Sequence, residues 1–112
     1  MSGKFEISTT SSGKFMFNLK ADNGQVVLTS QMYEAKASAF QGIESVRVNG
    51  VQDERFDRLM STKDEPYFNL KAANGLVIGR SQMYSSTAAM ENGVASVMTN
   101  APGAVITDLT AA

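Results

Sequence analysis

Histidine and cysteine do not occur among the 112 residues of this chain, so any chemistry falls to hydroxyls, amines, carboxylates and amides. A serine or threonine nucleophile would then need a lysine or a carboxylate as its base. Serines cluster at Ser8 to Ser12, at Ser30 and Ser81, and at Ser85-Ser86. These positions suit turns and helix N-termini, where a hydroxyl satisfies free N–H groups, and that is the role expected of them. Paired carboxylates, which can do acid–base work or hold Mg²⁺ or Ca²⁺, occur at Asp53-Glu54 with Asp57 and at Asp64-Glu65. They flank loops, neighbour Arg55, Arg58 and Lys63, and have no counterpart earlier in the chain, which reads as solvated loop charge. No calcium-loop spacing and no glycine-rich phosphate loop is present. No catalytic, cofactor-binding or metal-ligating residue is assigned, and no cofactor is expected.

The constellation worth following is one of binding. In Lys14-Phe15-Met16-Phe17-Asn18-Leu19-Lys20 the apolar residues recur with a period of two, the mark of a strand with one buried face. With Phe15, Phe17 and Leu19 turned inward, Lys14, Met16, Asn18 and Lys20 face outward. The same phase turns Tyr67, Asn69 and Lys71 outward further along, with Arg55 as a possible neighbour. Lys14, Asn18, Lys20, Tyr67, Asn69 and Lys71 therefore form a candidate ligand-facing set. Cations, amides and a tyrosine on an open sheet could hold phosphates and stack a base. Such a face also suits plain contact with water. A second candidate is the repeated Gln31-Met32-Tyr33 and Gln82-Met83-Tyr84. These segments could line a groove, but methionine and tyrosine are expected to close the end of the core with the hydroxyl reaching water. Phe40 is expected to pack on the N-terminal strand, with a contact surface as the alternative.

The elements that carry these residues occur twice. Shifted by 51, Phe17-Asn18-Leu19-Lys20-Ala21-Asp22-Asn23-Gly24 falls on Phe68-Asn69-Leu70-Lys71-Ala72-Ala73-Asn74-Gly75. Ser30-Gln31-Met32-Tyr33 falls on Ser81-Gln82-Met83-Tyr84 in the same register, and 17 of the 33 positions from Phe17 to Asn49 are identical. This is a tandem duplication. Each copy reads as a strand, an Asn-Gly hairpin turn, a return strand and a helix. The helices are marked by Ala39, Gly42, Ile43 and Val46, and by Met90, Gly93, Val94 and Val97. Asn49-Gly50 and Asn100 are expected to stop them in the left-handed conformation. A leading strand at 4–8 and a last one at 104–110 complete the order β-β-β-α-β-β-β-α-β. Arg55 to Leu59 repeats the leading strand with weaker alternation. One copy buries too little surface to be stable alone. The expected architecture is α+β: two repeats (about 3–53 and 54–110) in a single domain over residues 1–112, sharing one antiparallel sheet with both helices on one face.

The paired F-N-L-K-A-x-N-G and S-Q-M-Y strings, each followed by G-[IV]-x-S-V in a helix, resemble the YegP-like family of small bacterial proteins (UPF0339). The resemblance runs over roughly residues 3–110. It implies tandem β-β-β-α-β units in one sheet with their C-terminal strands exchanged, which sets residues 104–110 against the first unit. It brings no activity, catalytic residue or cofactor.

Composition bounds the rest. With 43% apolar and 19% charged residues the chain has the make-up of a globular domain. No apolar run approaches a membrane span, so no membrane partner is expected. The first residues, Met1 to Glu6, lack an apolar signal region, which reads as cytoplasmic. A formal charge of −1 argues against polyanion binding by the chain as a whole. The expected function is a non-catalytic binding or interaction module, monomeric since each chain holds an intact pair of repeats, acting on a protein or a small molecule. The alternatives are a nucleic-acid-associated protein using the outer sheet face and, last, an enzyme.

Overall fold

Phe5 and Ile7, Phe17 and Leu19, and Phe68 and Leu70 alternate with polar neighbours, and each pair is fully buried. In the computed structural model, which describes residues 3–110, they lie on β1 (Lys4–Thr9), β2 (Phe15–Lys20) and β5 (Pro66–Lys71). The other strands are β3 (Val26–Ser30), β4 (Phe56–Met60), β6 (Val77–Arg80) and β7 (Val105–Asp108). Helices α1 (Lys36–Asn49) and α2 (Thr87–Asn100) follow β3 and β6. Of the segments read from the sequence, Met1 and Ser2 at the start and Ala111 and Ala112 at the end lie outside the described residues.

The strands form one sheet in the order β4-β5-β6-β3-β2-β1-β7. The two hairpin systems meet at β3 and β6, and β7, which follows the second repeat's helix, lies on β1 of the first repeat. The expected exchange is therefore present at the C-terminus, but the sheet is mixed. Every neighbouring pair is antiparallel except β1 and β7, which run parallel. Val105 at the start of β7 sits beside Lys4 at the start of β1, so the two strands run the same way. Periodicity reports which face a side chain takes and carries no strand direction, hence the difference from the antiparallel expectation.

The helix residues picked out by spacing are buried, and Ile43, Val46, Met90, Val94 and Val97 join the strand residues in one cluster. Phe5 meets Phe17 edge-on at 5.8 Å between ring centroids, and Phe56 meets Phe68 in the same way at 5.4 Å. Each such side chain contributes roughly 1.5–3 kcal/mol on full burial. In the two Asn-Gly turns the glycines, Gly24 and Gly75, take positive φ and the asparagines do not. Asn23 and Asn74 serve instead by accepting hydrogen bonds from the N–H groups of Gln25 and Leu76.

Two local expectations change. The helices do not stop in the left-handed region: Gly50 (φ −69°) and Ala101 (φ −59°) are right-handed. Asn49 and Asn100 close the helices from inside, their Nδ2 groups donating to the carbonyls of Ser45 and Ser96. Ser86 does cap α2, accepting from Ala89 N–H. Ser30 and Ser81 are not caps; they are buried inside the sheet. Their Oγ atoms accept from Phe17 N–H and Phe68 N–H at 2.8 and 2.9 Å and donate to the carbonyls of Gln31 and Gln82.

The seam between the repeats is short, with only Thr29 opposite Arg80 and Ser30 opposite Gly79. Thr29 and Arg80 are also equivalent under the shift of 51, so the pseudo-twofold axis passes between them. Beside it the repeats differ: Leu28 corresponds to Gly79. A Cβ on Gly79 would lie 2.9 Å from Leu28 Cγ and 2.9 Å from the Thr29 carbonyl oxygen, so only one half can carry a large side chain there.

Candidate functional site

The inward phase of Phe5, Phe17, Leu28, Phe68 and their neighbours leaves the other sheet face free of helices. Across that face the register aligns one residue from each strand. Starting at β7, the row reads Thr107, Glu6, Asn18, Thr29, Arg80, Asn69 and Asp57. All are polar, and the row is pseudo-symmetric: Glu6 pairs with Asp57 under the repeat, Asn18 with Asn69, and Thr29 with Arg80. Thr29 Oγ1 donates to Asn18 Oδ1 at 2.8 Å, and Arg80 Nε donates to Asn69 Oδ1 at 3.2 Å.

The lysines expected to make this face cationic are neutralised. Lys20 Nζ lies 2.9 Å from Glu6, and its equivalent Lys71 lies 3.0 Å from Asp57. Lys4 also reaches Glu6, at 3.2 Å. The hydrogen bond from Lys20, more than that from Lys4, holds the Glu6 carboxyl below the ordinary carboxylate range. Lys14 pairs with Glu34 at 3.1 Å, just before β2 begins. Asp57 thus corrects the reading of its cluster as loop charge without a counterpart: it lies on β4 and repeats Glu6. Asp53 is likewise engaged, bonding Arg58 at 2.7 Å together with Glu91 of α2. These two carboxylates raise the Arg58 pKa, Glu91 contributing most. Arg55 turns away from the face and donates from Nε to Asn49 Oδ1.

Arg80 differs from these cations. Among the described residues no carboxylate pairs with it; its guanidinium lies over the Tyr67 ring, 5.5 Å from the centroid. It borders a cleft of about 420 Å³ that straddles the pseudo-twofold axis, with Val26, Thr29, Gln31, Val77 and Gln82 around it. None of the six residues predicted to face a ligand lines this cleft directly. Asn18, Tyr67 and Asn69 support the side chains that do, whereas Lys14, Lys20 and Lys71 stand apart in their ion pairs. Arg80 itself was not foreseen, although a departure from the repeat at this position, arginine for threonine, was visible.

The Gln-Met-Tyr segments take a different part. Tyr33 stacks on Phe17 at 6.2 Å and Tyr84 on Phe68 at 6.4 Å, both half-buried. Burial pushes both phenols above their ordinary pKa. The tyrosines close the core as expected; the methionines do not, since Met32 and Met83 are exposed. Each tyrosine edges a groove between its own helix and the hairpin of the other repeat, about 230 Å³ beside Tyr33 and about 320 Å³ beside Tyr84. Phe40 keeps 36% of its surface exposed, and its equivalent Glu91 pairs with Arg58, the equivalent of Ile7. Among the described residues no cluster of acidic side chains could hold a metal ion, and no helix is long and apolar enough to cross a membrane.

A family model described as a domain of unknown function, DUF1508, matches residues 11–57 and again residues 61–108. A UPF0339 protein of Shewanella oneidensis is 53% identical over 98% of this chain and 100% of its own length. The UPF0339 protein YegP of Escherichia coli O157:H7 is 47% identical over 98% of this chain and 100% of its own. The solution structure of a UPF0339 protein from Shewanella oneidensis superposes with a TM-score of 0.92, covering 98% of this chain and 93% of that one. That of YegP from E. coli, a protein of unknown function, gives 0.94 at 46% identity, covering 100% and 97%. These bacterial relatives share the fold and bring no assigned activity.

Proposed function

The chain belongs to the family of DUF1508 domains, and we propose that it is a non-catalytic binding module whose working surface is the open face of the sheet at the junction of its two repeats. The observation that carries this reading is the cleft on the pseudo-twofold axis, bordered by Arg80 without a carboxylate partner. The two repeats act in this reading as a single domain and the chain as a cytoplasmic monomer, each chain holding both halves of the cleft. A small molecule fits the cleft's dimensions better than a protein, since pockets of roughly 300–1,000 Å³ are the usual size for such ligands. Chemical catalysis has no support from the side chains present: the cleft joins a guanidinium, the hydroxyls of Thr29, Ser30 and Ser81, and amides, with no carboxylate or lysine lining it as a base. Nucleic acid is disfavoured by the ion pairs that hold Lys14, Lys20 and Lys71. A strand-tracking surface needs free cations along its length.

The test is an amide chemical-shift titration of labelled protein against a bacterial metabolite ultrafiltrate and, separately, mixed single-stranded oligonucleotides at low and high salt. Shifts confined to Thr29, Val77, Arg80 and their neighbours with the ultrafiltrate are expected. Silence of the whole face with both would end the reading. Salt-sensitive shifts at Lys20 and Lys71 with the oligonucleotides, lost in Lys20→Glu and Lys71→Glu, would replace it with nucleic-acid binding.

A further inference from the structure

We infer that the cleft on the repeat axis is a site for a carboxylate ligand with a small apolar body, gripped by the free edge of the Arg80 guanidinium; this rests on the binding reading above and names its chemistry. Three features of the guanidinium are fixed. Its Nε donates to Asn69 Oδ1, its Cζ lies over the Tyr67 ring, and Asn69 is itself buried. That leaves the Nη groups, which form the fork that matches a carboxylate with two parallel hydrogen bonds. A free surface lysine would offer only a mobile point charge. Every lysine on this face already has a carboxylate, so the arginine is the group still lacking an anion.

The repeat supplies an independent argument. Thr29 and Arg80 are equivalent positions that also face each other across the axis. Arginine in both copies would set two guanidiniums directly opposite, which is destabilising in a sheet. Threonine in both would remove the cation. One of each yields a single cation at the centre of a pseudo-symmetric face. The ring beneath it is just as unsymmetric, because Tyr67 corresponds to Met16. Asn69, by contrast, keeps its counterpart Asn18, and each accepts a hydrogen bond from the residue that differs. The arginine and the ring beneath it thus occur together, in one repeat only. Val26 and Val77, equivalent under the shift, border the cleft on either side of the axis and would meet the apolar body.

The probe is benzoate, with its neutral isostere benzamide and inorganic phosphate as comparisons, followed by amide and Arg Nε shifts on the full-length protein. Benzoate is expected to move Val26, Thr29, Val77 and Arg80 and to bind at least tenfold more tightly than benzamide. Phosphate, which can accept from the same fork but lacks the apolar body, is expected to bind more weakly than benzoate. In Arg80→Gln the benzoate response should fall at least tenfold, while the dispersion of the remaining spectrum and the melting midpoint report an intact fold. Equal binding of benzoate and benzamide, or a benzoate response unchanged in Arg80→Gln, would overturn the carboxylate assignment and leave the cleft as a neutral-ligand site. Absence of any response to benzoate overturns it as well; only if the ultrafiltrate is also silent does the binding reading fall with it.

Discussion

The hydroxyl of Tyr33 lies directly over the backbone of Gly42, and Tyr84 repeats the arrangement over Gly93. A Cβ on Gly42 would stand 2.9 Å from Tyr33 Cζ and 3.0 Å from Phe17 Cε2, and one on Gly93 would stand 2.7 Å from Tyr84 Cζ. The ring has little room to yield, because Phe17, stacked on it, stands against the same point. Glycine at mid-helix costs about 1 kcal/mol against alanine, so propensity alone would make Gly42→Ala stabilising. The contact reverses that sign.

Urea unfolding of Gly42→Ala and Gly93→Ala should show a loss of about 1–3 kcal/mol each, the usual range for forcing atoms into a packed site. Adding Tyr33→Phe to Gly42→Ala should recover part of it, since the hydroxyl leaves but Cζ stays. A gain in stability for either alanine variant would mean that propensity, not this contact, governs the position.

Asn49 and Asn100 separate one hydrogen bond from an otherwise matched environment. Both donate from Nδ2 to the carbonyl four residues back, but only Asn49 Oδ1 has a partner, Arg55 Nε at 3.0 Å. The equivalent of Arg55 is Ile106, and Asn100 Oδ1 is buried without a hydrogen bond among the described residues. Asn49→Ala should therefore cost about 1–2 kcal/mol more than Asn100→Ala, the range for a bond to a charged donor and the desolvated group it strands. In an Arg55→Ala background the gap should close. Equal costs in the parent protein would show that the arginine bond contributes nothing.

The last strand should govern the whole sheet. Leu109 N–H donates to the Ile7 carbonyl at 2.8 Å, Arg47 bonds the Ala104 carbonyl, and Ile106 packs on the core. Removing residues 104–112 bares the edge of β1 and should lower the melting midpoint as one cooperative transition, with amides of both repeats exchanging together. A second repeat that keeps its protection while the first loses it would divide the chain into two units.

Acid should loosen that strand before the rest. The Asp108 carboxyl is drawn down to about 2 from an ordinary 3.8, chiefly by its hydrogen bond with Lys36 and then by Thr110. A carboxylate with a lowered folded value contributes fully above its unfolded pKa and loses that contribution as pH falls through the folded one. Unfolding midpoints should decline from about pH 4 towards pH 2, and the decline should be shallower in Lys36→Met. Glu6 adds to the same acid limb, its value being lowered by Lys20. The half-buried phenols of Tyr33 and Tyr84 act at the other end, where stability should fall as pH rises past about 10. An acid limb identical in Lys36→Met would remove Asp108 from the account.

Much of the framework could be read directly from residue order. Alternation at Phe17 and Leu19 put Asn18 on the open face, and the shift of 51 predicted that Asn69 would share it. Neighbouring strands were harder, because pairing depends on contacts far apart in the chain. Glu6 faces outward between Phe5 and Ile7, yet its place beside Lys20 follows only from β1 lying against β2. The expected cationic face was lost in this way, one ion pair at a time. Arg80 was missed for the opposite reason: attention to what the repeats share passes over the positions where they differ, and here the differing residues, Arg80 and Tyr67, meet. Strand direction at β7 had no local signal at all.

The unequal pair at the seam, Leu28 and Gly79, bears on the history open to the gene. Recombination between the two copies, or conversion of one by the other, would yield a chain with leucine or with glycine on both sides of the axis. The first product collides with its own backbone and the second leaves a void where a side chain had been. Each half has thereby become the other's complement and can no longer serve as its replacement, so sequence exchange between the copies should be selected against around this point even where the flanking strings stay alike.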